Sequence, residues 1–141
     1  MTDKKLSVIE AYEKKGYLDR LRKHWTASDR CRVGIKIGRD YYRSHWETLK
    51  AINYEKDKVD VSIKEEPEFI LEARDRYIKA MSAIPDDFRE TVRRVCCENK
   101  PIKGIGSSER QKDYDWHSKL CDLCRGLDYL INFYLGIGKK I

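Results

Sequence analysis

Apolar residues recur at intervals of three and four along much of the chain, the spacing that places side chains on one face of an α-helix. The longest such repeat predicts a helix over about residues 115–135, with Asp113 or Asp115 as its N-cap and with Gly136 and Gly138 at its end. The residues expected to face the core are Trp116, Leu120, Leu123, Leu127, Leu130 and Tyr134.

Two shorter helices are predicted between residues 67 and 98. Pro67 suits the first turn of the first helix, which ends near Ala83, and Pro85 begins the second helix together with Asp86. Acidic residues at both N-termini complement the helix dipole. The residues expected to be apolar contacts are Phe69, Ile70, Ala73, Tyr77, Ala80 and Met81 in the first helix, and Phe88, Val92, Val95 and Cys96 in the second.

A long helix is predicted from Ser28, its N-cap, to about Ile52, with Asp29 in the first turn. Gly34 and Gly38 lie one turn apart within it, although each costs about 1 kcal/mol relative to alanine in a helix. We therefore expect another helix to approach closely at these glycines. The residues expected to face the core are Cys31, Ile35, Gly38, Tyr42, Trp46 and Leu49.

The remaining segments are expected to connect these helices. Residues 1–27 are predicted to form a weakly helical N-terminal hairpin, residues 53–66 a charged linker and residues 99–112 an exposed loop. A length of 141 residues suits one domain with a sizeable core. The pattern therefore predicts an all-α fold, with residues 1–141 forming a single compact bundle of about five helices.

The chain carries a formal net charge of +6, and 38% of its residues are charged. No apolar stretch approaches the ~20 residues of a membrane span, and the first residues lack the apolar segment of a secretory signal. We therefore expect a cytoplasmic protein without membrane contact, in which the five cysteines are reduced thiols. The excess of positive charge lies in residues 1–58, which hold 15 Lys and Arg against 9 Asp and Glu.

Part of this excess forms a stripe of cations on the predicted long helix. Arg32, Lys36, Arg39 and Arg43 follow one another at spacings of four, three and four, which stacks them along one edge of the helix. Guanidinium groups at such intervals suit the phosphates of a nucleic acid. The alternatives are a solvated face without a partner and a contact surface for an acidic protein.

Cations just upstream of the stripe support its interpretation as a phosphate-binding edge. Arg22, Lys23 and Arg30 lie within ten residues of Arg32 and are predicted to join the nucleic-acid contact. Tyr41 lies on the same helix but away from the stripe, so the sequence does not support readout of bases.

A set of cysteine and histidine residues offers a possible metal site. His117, Cys121 and Cys124 fall on one side of the last helix, and Cys97 or its neighbour could supply a fourth ligand, which would make a Cys₃His zinc site. Cysteine is also among the most buried residue types, and paired thiolates usually lie on turns rather than within a helix. Core packing is therefore the favoured interpretation, and we predict no cofactor.

No recognisable catalytic motif is present. The segment GIKIG at Gly34–Gly38 lies inside a helical pattern and lacks the Gly-Lys-Ser/Thr ending of a phosphate loop. The chain also shows no clear nucleophile with an adjacent base and no pair of catalytic carboxylates. We therefore predict that the protein is not an enzyme.

Parts of the sequence resemble a family of alphaproteobacterial and phage-associated domains of unknown function, often found after a helix-turn-helix domain. The resemblance covers roughly residues 30–137, but the chain departs from the family pattern at His117, where a proline is expected, and at Leu135. The matching residues are Cys96 and Cys97, Trp116, Lys119, the Leu120–Leu130 repeat, Tyr134 and Gly136, and upstream Gly34, Ile37, Arg39, Asp40 and Tyr41.

This resemblance implies a bacterial or prophage protein in a regulatory, DNA-linked setting, and it brings no enzymatic activity with it. Together with the cation stripe it predicts a DNA-associated regulatory or accessory protein. The alternative is a protein-binding adaptor or a homo-oligomeric module acting on the transcription machinery, which would use its tyrosines, tryptophans and arginines as the contact surface.

Overall fold

The chain forms an all-α bundle, as predicted. The computed structural model describes residues 6–21, 25–44 and 68–137, and in these residues it contains five α-helices and no strand. The predicted linker 53–66 lies outside the described residues. The helices are α1 (Val8–Lys14), α2 (Ala27–Ser44), α3 (Glu68–Ala83), α4 (Asp86–Val92) and α5 (Glu109–Gly136).

The short helix α1 has a strongly capped N-terminus. The side chain of Ser7 accepts a hydrogen bond from the backbone of Glu10, whose carboxylate accepts one from the Ser7 amide in return. The side-chain oxygen of Asn99 accepts a further hydrogen bond, of 2.8 Å, from the Val8 amide. Gly16 then adopts a left-handed conformation, with φ of 82°, and leads into a single 3₁₀ turn at Tyr17–Asp19.

The helix α2 begins at Ala27, so the predicted N-cap at Ser28 is wrong. Thr26 and Asp29 cap the helix reciprocally: the Thr26 hydroxyl accepts from the Asp29 amide, and the Asp29 carboxylate accepts from the Thr26 amide, each at 3.1 Å. The error arose because Ser28 and Thr26 are both good capping residues. The predicted continuation of this helix from residue 45 to residue 52 lies outside the described residues.

The buried face of α2 overlaps only in part with the predicted face: Cys31 is buried as expected, and Ile35 packs against the core. Val33 and Ile37 are fully buried in the bundle, whereas Tyr42, which was predicted to face the core, is 55% exposed. On a helix of 3.6 residues per turn, the centre of the buried face, taken over all buried residues of α2, lies about 130° from the centre of the predicted face. The physical reason is that the true core face also contains three buried polar residues, which hide it from a hydrophobic pattern: Arg30, Asp40 and Ser44.

The prediction of a close approach at the two glycines of α2 is confirmed. A Cβ atom added at Gly38 would lie 2.6 Å from the backbone oxygen of Cys96, and one at Gly34 would lie 2.9 Å from Ile9. The approaching backbone belongs to a π-helical turn, Arg93–Cys97, that continues α4 and ends with a hydrogen bond of 2.9 Å from the Glu98 amide to the Arg93 carbonyl.

The helices α3 and α4 match the predicted positions. Glu68–Ala83 ends where expected, and Pro85 occupies the N-cap position of α4. The helix α3 packs mainly against α2, whereas α4 packs against α5. Most of the predicted apolar contacts that the structure describes are fully buried, among them Ile70, Ala73, Ala80, Val92 and Val95.

The helix α5 supplies the centre of the core, and its predicted apolar repeat is confirmed. It ends at Gly136 as expected but begins at Glu109, because Ser108 accepts a hydrogen bond from the Gln111 amide and acts as the N-cap. The predicted caps Asp113 and Asp115 are therefore wrong. The fully buried residues of this helix are Leu120, Leu123, Cys124, Leu127, Leu130, Ile131 and Tyr134.

The segment predicted as an exposed loop over residues 99–112 is shorter than expected and is fastened to the bundle. The Ile102 amide donates to the Tyr12 hydroxyl at 2.9 Å, and the Ile105 amide donates to the Asp115 carboxylate at 2.8 Å. The Lys119 ammonium donates to the carbonyl of residue 103. These contacts tie the segment both to α1 and to the first turns of α5.

Candidate nucleic-acid interface

The cation stripe forms one edge of α2, as the periodicity indicated. Arg32, Arg39 and Arg43 are exposed, and on a helical wheel they fall within about 40° of one another. Among the described residues, none of these guanidinium groups has a carboxylate partner within 4.0 Å. By contrast, Arg89 and Arg93 on α4 and the π turn each pair with an acid three residues earlier.

Lys36 belongs to the stripe in sequence but is held against the body of the bundle. It is half-buried, and its ammonium group lies 5.6 Å from the centre of the Tyr134 ring on α5. That distance is typical of a cation–π contact. The exposed charge of this edge therefore comes from three arginines, with Lys36 as a tethered fourth cation.

Arg30 is not part of the edge, so its predicted role in nucleic-acid contact is wrong. Its side chain is 0% exposed and points into the bundle. Its guanidinium group forms a bidentate pair with Asp128 of α5, at 2.8 Å and 2.9 Å. The same group donates to the backbone carbonyls of Leu18, Arg20 and Leu21.

Arg30 therefore acts as an internal strut that holds the chain just before α2 onto α5. Arg22 and Lys23, which were also predicted to contact nucleic acid, lie outside the described residues. The strut fastens the backbone of Leu18, Arg20 and Leu21, which precede these two cations in the sequence.

A second buried polar group lies behind the cation edge. Asp40 is 3% exposed and accepts a hydrogen bond of 2.9 Å from the Tyr134 hydroxyl. It also forms an ion pair of 3.1 Å with Arg76 on α3. The hydrogen bond to Asp40 raises the pKa of Arg76, and burial together with this carboxylate raises the pKa of Tyr134. These contacts fix the rotation of α2 against α3 and α5, and hence the direction of its outer edge.

A groove runs beside the cation edge, between α2 on one side and α1 with the π turn on the other. Its larger cavity has a volume of about 510 Å³, and a second cavity of about 470 Å³ adjoins it at Glu10 and Ile35. Arg39 and Arg43 line the larger cavity and Arg32 the smaller one. The arginines therefore face a concave surface as well as open solvent.

The walls of the larger cavity are mostly apolar and aromatic. Tyr42 stands at its rim, and the half-buried Tyr41 lines it as well. Among the described residues that line it, Glu10 is the one carboxylate, and its Oε1 atom accepts hydrogen bonds from the amide and the hydroxyl of Ser7. The sequence placed Tyr42 in the core, so this exposed aromatic beside the arginines was missed.

The cysteine and histidine residues do not form a metal site in the described residues. No group of three or more His, Cys, Asp or Glu side chains in the described ranges is arranged to hold a metal ion. Cys124 is buried with its sulfur 3.8 Å from the Tyr17 carbonyl, whereas Cys97 lies beside Tyr77. Burial raises the pKa of the Cys97 thiol to about 12 and also raises that of Cys124. The zinc set of Cys97, His117, Cys121 and Cys124 is therefore not assembled.

Comparison of the chain with protein-family models, with curated proteins and with solved structures finds no significant match. Within the described part of the chain, no helix combines the length and the apolar character that crossing a bilayer requires. The chemistry of the surface is therefore the basis for a functional assignment.

Proposed function

We propose that this chain is a non-enzymatic accessory or regulatory protein associated with nucleic acid, which contacts the phosphate backbone through the outer edge of α2. The observation that carries the proposal is the row of three exposed arginines, Arg32, Arg39 and Arg43, without carboxylate partners among the described residues. The family resemblance of the sequence implies a regulatory setting linked to DNA.

The spacing of the arginines suits a polyanion. With a rise of 1.5 Å per residue, Arg32 and Arg39 are separated by about 10 Å along the helix axis, and Arg39 and Arg43 by about 6 Å. Arginine binds phosphate through a planar group with several donors and stays charged throughout the physiological pH range. Three such groups in a line can follow successive phosphates, whereas a small anion would need them to converge.

The internal polar groups support a role in binding rather than in catalysis. Both ends of the Arg30–Asp128 pair and of the Asp40–Arg76 pair are used in holding helices together. Buried ionisable groups of this kind are structural partners. The accessible charge of α2 lies on its outer edge.

The test is a charge reversal at two positions, Arg32→Glu with Arg39→Glu, measured by fluorescence anisotropy with a labelled 20-base-pair duplex. We expect affinity to fall at least tenfold, and the parent protein to lose affinity steeply between 50 and 200 mM salt, because each neutralised phosphate releases counterions. Circular dichroism would check that helicity is retained.

The matched control is Arg110→Glu with Arg125→Glu, two exposed arginines of α5, because it changes the net charge by the same amount. We expect this control to bind within about threefold of the parent, since overall charge acts weakly at a distance in salt. Equal loss of affinity in both double variants would show that net charge alone, and not the α2 edge, governs binding.

A second candidate is a protein-binding adaptor, favoured by the exposed Tyr42 beside an apolar cavity and arginines. Tyrosine and arginine are enriched where partner proteins bury surface. An interface of this kind would respond weakly to salt, whereas phosphate binding would not. The salt series in the same experiment therefore separates the two candidates.

A further inference from the structure

The position of Tyr42 distinguishes this edge from a simple row of cations. Tyr42 lies three residues after Arg39 and directly before Arg43, and its side chain is 55% exposed. Residues three apart on a helix are neighbours on its surface. The ring of Tyr42 is therefore a neighbour of the Arg39 side chain on the helix surface, and Arg39, Tyr42 and Arg43 all line the same cavity.

The cavity itself is suited to an aromatic guest. Its volume of about 510 Å³ lies within the range of roughly 300–1,000 Å³ usual for small-molecule sites. Ile35 and Tyr41 line it and supply apolar and aromatic surface. Among the described lining residues, Arg39 and Arg43 bring two positive charges, against the single carboxylate of Glu10, which accepts hydrogen bonds from Ser7.

We propose that the preferred ligand of this edge is single-stranded nucleic acid, with one base stacked on Tyr42 at the mouth of the cavity and the flanking phosphates on Arg39 and Arg43. This inference rests on the proposed function, because it names the class of nucleic acid that the α2 edge binds. Proteins that bind single strands combine a cationic groove with aromatic rings on which bases stack.

A duplex can use only part of this surface. Its bases are stacked on one another and present their edges, not their faces, to a protein. A duplex would then place no base on the Tyr42 ring or in the apolar cavity, and its binding would depend on the arginines alone. A single strand can turn a base outward onto the ring while its phosphates stay on the arginines, so it uses both parts of the site.

The test compares a fluorescein-labelled 15-nucleotide oligo-dT with a 15-base-pair duplex, by anisotropy with the full chain. We expect the parent to bind oligo-dT more tightly than the duplex. Tyr42→Ala should weaken oligo-dT binding by roughly 5- to 100-fold, the range that corresponds to the loss of one stacked base. The same change should leave duplex binding within about twofold.

Two controls make this result specific. Tyr42→Phe keeps the ring and should bind oligo-dT within about twofold of the parent. Tyr114→Ala removes a tyrosine that is 78% exposed on α5, away from the groove, and should have no effect. If Tyr42→Ala and Tyr114→Ala behave alike, the stacking site is wrong.

The outcomes separate this inference from the function on which it rests. If duplex and oligo-dT bind equally and only the arginine reversals matter, the phosphate edge stands and the single-strand preference is refuted. If neither nucleic acid binds, both proposals fail. A labelled poly-glutamate peptide serves as a third probe, and binding of that peptide alone would indicate an acidic protein partner and overturn both proposals.

Discussion

A single arginine shows how position decides what a charged side chain does. Arg30 and Arg32 are two residues apart in a basic segment, yet one is fully buried and the other is exposed. Arg30 has five acceptors around its guanidinium group, from Asp128 and three carbonyls, so its burial leaves its donors satisfied. Arg32 has no such surroundings and stays at the surface.

Replacing Arg30 by methionine should therefore destabilise the protein by about 3 kcal/mol, because the change leaves Asp128 and the three carbonyls without their shared donor. Arg32→Met, the matched control on the same helix, should change stability by less than about 0.5 kcal/mol. Urea unfolding followed by circular dichroism would measure both. Equal stability of the two variants would mean that the strut contributes nothing.

This distinction between the two arginines could not be made from the sequence. A hydrophobic pattern assigns cations to the surface, and Arg30 becomes a core residue only because Asp128, 98 positions later, lies opposite it. The same holds for Asp40, whose partners Arg76 and Tyr134 come from two other helices. Buried pairs between distant residues are the reason that only part of the core face of α2 could be predicted.

At the scale of the elements, the contact between α2 and the π turn depends on the absence of a side chain. Glycine in a helix interior usually costs stability relative to alanine. Gly38, however, lies under the carbonyl of Cys96, and an added methyl group would approach that oxygen to 2.6 Å. This carbonyl belongs to the π turn Arg93–Cys97.

Gly38→Ala should consequently reverse the usual effect of this substitution and destabilise the protein by about 1–3 kcal/mol, as overpacking does. Gly136→Ala is the matched control, because an added Cβ there meets nothing within 4 Å, so we expect it to be neutral or slightly stabilising. Thermal unfolding of both variants, compared with the parent protein, would measure these changes in stability. A stabilised Gly38→Ala protein would contradict the close packing described for this contact.

The elements themselves were largely predictable, and their ends were less so. The repeat from Leu120 to Leu130 identified α5 because all its apolar residues face one core. Its start was missed because Ser108 and the two aspartates are all acceptable N-caps. In the structure the Ser108 hydroxyl accepts from the Gln111 amide, whereas the Asp115 carboxylate accepts from the Ile105 amide of the preceding loop.

At the scale of the whole molecule, thiols and phenols are enclosed between several helices. Burial raises the pKa of Cys31 and of Cys97 to about 12, from an ordinary value near 9, and raises that of Tyr77 to about 12 as well. Each folded-state pKa exceeds the unfolded one, so the unfolded chain gives up these protons first as the pH rises. The contribution of the two buried thiols to the free energy of unfolding is therefore complete below about pH 9 and is lost progressively between pH 9 and 12.

We therefore expect the free energy of unfolding to be nearly constant from pH 7 to 8.5 and to fall above pH 9. Each of the two thiols should contribute a slope of about 1.4 kcal/mol per pH unit. Urea unfolding at pH 8, 9.5 and 10.5 under reducing conditions would measure it. A Cys31→Ala variant should show a shallower decline than the parent, and an identical decline would exclude this thiol as a cause.

The candidate interface was predictable in part, because its two components have different origins. The arginines Arg32, Arg39 and Arg43 share one helix, so their spacing alone placed them together. The cavity beside them also needs α1 and the turn after α4, which lie far apart in the chain. Tyr42 was assigned to the core, so its exposure became visible only once the helices had been packed.

The hydrogen bond from Val8 to Asn99 has a consequence for the order in which the chain can become stable. A seven-residue helix is too short to persist by itself in water, and α1 depends on Asn99 and Ile102 for two of its contacts. On a ribosome these partners emerge about 90 residues after α1. The helix α1 is thus synthesised early but gains these stabilising contacts late. A nascent chain arrested before residue 99 should therefore expose α1 to protease.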